Sequence, residues 1–215
     1  GNWSNAVNTL VTVRLNSIFS SPFTLTGGNL GWSNKTGSPT VTTAAGIPSG
    51  AGNTGLQVTE AGGVTNRTRF VTDTTPTAEA SYHASFAFNA HTLTPLTGSV
   101  LNLFEGLGTG QVFAVQLRQV GAVKQIGSVM AGQAGPTTWV TLPTGPHTIQ
   151  VDWLAATSGS LQLQLDGVPV STLTGNTSTL TVETALLGLT AGVTRTSVTG
   201  TAFFDNFAST RFTLP

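Results

Sequence analysis

The chain has 215 residues, eight basic and eight acidic, so charged side chains make up only 7% and cancel. An ordinary soluble domain carries roughly a quarter. The balance excludes a nucleic-acid binder, which needs a basic surplus, and a membrane-surface protein, which needs a Lys/Arg-rich face.

No apolar run reaches the ~18–20 residues of a membrane helix. The longest, Leu186 to Val193, is broken by Gly188, Thr190 and Gly192, and no membrane insertion is expected. Hydrophobic residues at 39%, in short runs, can bury a core and argue against disorder. The absence of cysteine removes thiolate metal sites, thiol nucleophiles and disulfides. A chain with 39 Thr and 17 Ser but few lysines fits an extracellular or cell-surface protein. The start at Gly1, without Met, fits a mature chain freed of an export signal.

Residues 1–18 carry a strand-like alternation, Val11, Val13 and Leu15 against Thr12 and Arg14. They read as an N-terminal extension: either an edge strand of the same sandwich or a strand donated to a neighbouring copy. Residues 19–215 read as one domain. Turn-rich segments at 26–29, 49–53, 61–63 and 143–146 punctuate it. The clearest strand runs from Glu79 to Phe88, with Ala80, Tyr82, Ala84, Phe86 and Phe88 facing inward and Glu79, Ser81, His83 and Ser85 outward. Phe113, Val115 and Leu117 repeat the pattern, as do Ile149, Val151 and Trp153, then Leu161, Leu163 and Leu165. Asp166-Gly167 is a hairpin turn, and Pro169 admits the return strand only at an edge. Near the end, Ala202, Phe204 and Asn206 oppose Phe203, Asp205 and Phe207. No segment shows a capped 3.6-residue period. The reading is all-β with no substantial helix: one antiparallel β-sandwich of about ten to twelve strands.

The motifs Trp139-Val140-Thr141-Leu142, Val151-Asp152-Trp153, Asp166-Gly167-Val168 and Phe204-Asp205-Asn206-Phe207-Ala208-Ser209-Thr210-Arg211 carry a resemblance. Gly28-Asn29-Leu30-Gly31-Trp32-Ser33 and Ala78-Glu79-Ala80-Ser81-Tyr82 add to it. Together they resemble the laminin-G-like, concanavalin A-like jelly-roll modules of bacterial surface proteins. The resemblance implies a two-sheet antiparallel jelly roll and an extracellular or cell-surface location. It leaves the role open. Members often open with a glutamate that would complete a calcium site. Here that stretch reads Phe23-Thr24-Leu25-Thr26-Gly27-Gly28. Asp205 and Asn206 are then an incomplete site for a structural calcium, and no other cofactor is expected.

No pair of carboxylates alternates along one strand as glycosidase chemistry needs, and Glu105 and Asp152 stand as lone acids. Glu79, Ser81 and His83 share a strand face, but no Gly-x-Ser-x-Gly turn is present. His83, His91 and His147 lack zinc-like spacing. The sequence therefore predicts no enzyme. It predicts a structural surface protein that associates with copies of itself, because few charges oppose contact between copies. Val11, Val13 and Leu15 would form the assembly strand, and head-to-tail pairing would build a filament. The alternative is a carbohydrate-binding, lectin-like module using Trp32 and Asn34 for glycans, with Trp139 and Trp153 in the core.

Overall fold

The computed structural model describes residues 32–48, 54–62, 68–193 and 197–211. The segment 1–18, and with it Val11, Val13 and Leu15, lies outside the described residues. These residues form fifteen strands. The first eight are β1 (Asn34–Thr36), β2 (Thr40–Thr42), β3 (Gly55–Glu60), β4 (Arg69–Asp73), β5 (Ser81–Asn89), β6 (Thr94–Pro95), β7 (Val100–Leu107) and β8 (Gln111–Val120). Then come β9 (Val123–Met130), β10 (Val140–Thr141), β11 (Pro146–Leu154), β12 (Gly159–Leu165), β13 (Val168–Gly175), β14 (Thr184–Ala191) and β15 (Val198–Thr210). The helical content among the described residues is one 3-10 turn, Thr43–Ala45. None of it is long and apolar enough to cross a membrane.

The strands form two antiparallel sheets, the jelly-roll β-sandwich that the alternation predicts. Sheet A runs β1-β4-β14-β7-β8-β9-β10, and sheet B runs β13-β12-β11-β5-β15-β3-β2. The inward side chains of the two sheets meet in one aromatic core. Phe104 of β7 lies 5.4 Å from Phe86, 5.8 Å from Phe113 and 5.8 Å from Phe207, ring centre to ring centre. Tyr82 and Trp153 are fully buried around them. Such tilted pairs add about 0.5–1.5 kcal/mol each beyond the area they bury.

Two side-chain placements depart from simple alternation. Ala80 is exposed rather than buried, because β5 begins only at Ser81. In β15 the register against β5 shifts between Asp205 and Ala208, and Asn206 takes a left-handed φ of 52°. That bulge turns Asn206 out and Phe207 into the core. The β12–β13 turn forms as its sequence dictates: Asp166 (φ 53°) and Gly167 (φ 78°) are both left-handed, the geometry of a type I′ hairpin. Pro169 sits on β13, an edge of sheet B.

Candidate functional site

The outer face of sheet A is polar where its central strand is irregular. Asn102 pairs with Gln116 but Phe104 pairs with Val115, so Leu103 is an extra residue. Leu103 and Phe104 both enter the core, and the bulge leaves Asn102 and Glu105 together on the outer face. The Asn102 amide donates to the Glu105 carboxylate and also to Gln111 Oε1 at 3.2 Å. Gln116 Nε2 donates to Asn102 Oδ1 at 2.7 Å. The Thr190 hydroxyl of β14 donates to the Asn102 carbonyl at 3.3 Å. Asn102 and Glu105 are both buried, 7% and 6% exposed, although they point away from the aromatic core. Burial pushes the Glu105 carboxyl above its ordinary range, and the hydrogen bonds from Asn102 and Thr190 offset only part of that.

Farther along β8, Arg118 lies on the same face as Gln116. Its Nε donates to Gln125 Oε1 of β9 at 2.8 Å, and its guanidinium lies 4.2 Å from the centre of the Trp139 ring. A planar cation stacked on an indole keeps donors at its edges for a carboxylate. Trp139 arrives there through the loop between β9 and β10. That loop rests on Gly127: a Cβ built there would lie 2.8 Å from the Thr138 carbonyl oxygen and 2.9 Å from Pro136 Cβ. The expectation of a core position for Trp139 is corrected accordingly, since it is half-buried on the outer face, whereas Trp153 is core.

A second polar cluster occupies the outer face of sheet B. His83 Nδ1 and Asp152 Oδ1 are 2.6 Å apart, on directly paired residues of β5 and β11. Gln164 Nε2 donates to Asp152 Oδ2 at 3.0 Å. Among the described residues no arginine or lysine lines the hollow around this pair.

Trp32 is half-buried and packs on Phe207, 4.8 Å between ring centres. Asn34 is exposed on β1, and its side chain accepts the Lys35 N–H at 2.7 Å. Asp205 is fully buried and accepts the Ile47 N–H at 2.7 Å, while Asn206 Nδ2 donates to the Ile47 carbonyl at 2.7 Å. These two residues clamp the segment after β2. Among the described residues no three His, Asp or Glu side chains converge as metal ligands would.

No family model and no curated protein sequence matches this chain. Among solved structures, it is similar to an alginate lyase, Aly36B, with a TM-score of 0.55 and 12% identity, covering 75% of this chain and 82% of that one. It is similar to the endo-β-1,4-glucuronan lyase of the fungus Trichoderma reesei, with a TM-score of 0.53, 14% identity and coverage of 86% and 93%. A carbohydrate esterase from the Shiga toxin-encoding bacteriophage phi24B gives a TM-score of 0.55 and 13% identity over 86% and 91%. At these identities the likeness establishes the jelly-roll fold and does not confirm the laminin-G-like label. The matches also correct the expectation of a non-enzymatic, self-associating structural protein with a lectin-like alternative. These three neighbours are two polysaccharide lyases and a carbohydrate esterase.

Proposed function

We propose that the protein is an extracellular polysaccharide-processing enzyme of the lyase type, acting on uronate-containing polymers along the outer face of sheet A. The observation that carries this reading is Glu105, a buried carboxylate set among amides on the outer face of the central strand. Arg118 shares that face. The lyase neighbours and the large size of such substrates agree with it.

Arg118 binds a carboxylate of the polymer, and Trp139 gives the sugar ring beside it an apolar wall. The position opposite Glu105 lies four residues from Arg118 along β8, about 14 Å of strand. The carboxylate held by Arg118 therefore belongs to a neighbouring sugar, not the one that reacts. At the reacting sugar, ionised Glu105 takes the proton from C5. The C5–H electrons form the C4–C5 double bond, the bond from C4 to the glycosidic oxygen breaks, and that oxygen receives the proton. A carboxylate with raised proton affinity is the stronger base, and the Gln116 amide, with one N–H beyond its bond to Asn102, offers a donor to charge developing on the uronate.

The test incubates the protein with alginate and with glucuronan and follows the near-ultraviolet absorbance of the unsaturated product. Signal from the native chain that is lost in Glu105→Gln supports the reading, with KM rising in Arg118→Met. Absence of unsaturated product from both polymers, or full activity in Glu105→Gln, overturns it.

A further inference from the structure

A cleft of about 450 Å³ opens where the β8–β9 hairpin meets the β5 end and the loop after β10. Its walls include Asn89, His91, Lys124, Thr141 and Thr144. Lys124 is half-buried there, and none of the described residues lining the cleft is acidic. An ammonium held without an opposing carboxylate in a partly enclosed space favours an anion. His91, in the opposite wall, is braced from behind by Phe203, with ring centres 4.8 Å apart and planes 24° apart. His91 holds a left-handed φ of 38°, and its N–H donates to Asn89 Oδ1 at 2.8 Å. A non-glycine residue rarely sits there without a local constraint, and such constraints gather at ligand sites.

We propose that this cleft is a binding site for a sugar acid, with Lys124 meeting the carboxylate. The His91 imidazole faces the ring, and Asn89, Thr141 and Thr144 meet the hydroxyls. Carboxylate, ring face and hydroxyls together match a uronic acid better than a bare anion, which would use Lys124 alone. Lys124 adjoins Gln125, the partner of Arg118, and successive strand residues point to opposite faces, so Lys124 points away from the face described above. The proposal does not depend on β-elimination occurring there.

The experiment titrates the full chain with sodium glucuronate, glucose and sodium sulfate while recording amide NMR shifts. Glucuronate is expected to move resonances of residues 89–91, 122–124 and 141–145. Lys124→Met should weaken that binding at least tenfold, while Lys124→Arg retains it and Arg118→Met leaves these shifts in place. Retained core resonances in each variant separate lost binding from unfolding. Equal shifts with glucose or sulfate overturn the sugar-acid assignment. Unchanged glucuronate binding in Lys124→Met overturns the site itself. A raised KM for lyase activity in Arg118→Met, with these shifts intact, separates failure of this site from failure of the proposed function on the other face.

Discussion

Asn102 and Glu105 stand three residues apart in one strand, yet the amide of the first is bonded to the carboxylate of the second. Regular alternation would put them on opposite faces. One extra residue, Leu103, inserted into the β7–β8 ladder brings them together. The same insertion sends Leu103 and Phe104 into the core. A packing requirement and the candidate site therefore share a single backbone irregularity.

Glu105 gives the fold a pH dependence of definite sign. Its carboxyl is raised above 4.5 by burial, so between the unfolded and folded values the native state binds more protons. Stability is then fullest below about 4.5 and falls as pH rises through the raised value. Urea midpoints measured across that window should decline for the native chain. The decline should flatten in Glu105→Gln; an equal slope in both would contradict the assignment.

Tyr82 offers a direct optical check, because it is the only tyrosine in the chain. Burial pushes its hydroxyl up from 10.0 to about 12, against smaller opposing effects from Ser209 and Arg211. The associated stability is present below pH 10 and is lost as pH rises from 10.0 to about 12. Ultraviolet titration should show no tyrosinate near pH 10. Ionisation at the ordinary value in the folded protein would place Tyr82 at the surface.

Phe104→Ala should cost about 3–5 kcal/mol, as deletion of a buried aromatic typically does. Phe104 is the ring on which Tyr82, Phe86, Phe113 and Phe207 converge. The readout is the denaturant midpoint. A loss below about 1 kcal/mol would mean that the two sheets close the gap without it.

Gly127→Ala tests the wall that carries Trp139. The added methyl meets Thr138 and Pro136 at under 3.0 Å, so the loop must lift from β9. Overpacking of this kind costs about 1–3 kcal/mol. The indole should leave the guanidinium of Arg118, changing tryptophan emission and weakening polyuronate binding, while the aromatic core stays intact. Unchanged emission and binding would show that the loop does not depend on this contact.

Much of this architecture is legible in the sequence because sheet burial has a strict period of two. Tyr82, Phe86 and Phe88 announce the inner face of β5, and Asp166-Gly167 announces its turn without help from distant residues. The candidate site is not legible in the same way. Glu105 looks like a lone acid because its partner Thr190 on β14, and Gln116 on β8, which holds its partner Asn102, come near only through pairing. Asn102 shares its face only because of a bulge that no motif marks. Trp139 follows the same logic. Its neighbours along the chain suggest a core strand, but the loop on Gly127 sets the ring over Arg118. The pattern near Asn206 fails for a matching reason, since a register shift swaps faces halfway along β15.

The central place of β15 in sheet B has a consequence for how the molecule is made. β15 lies between β5 and β3, and Val198 follows Asn89 only after nearly all the other strands have been laid down. Until it inserts, sheet B exists as two pieces, each with an unpaired backbone edge. A partly synthesised chain therefore offers two sticky borders to its neighbours on the ribosome, and contacts this remote in sequence close slowly. A chaperone that shields those borders would govern the yield of folded protein more than the strength of its finished core.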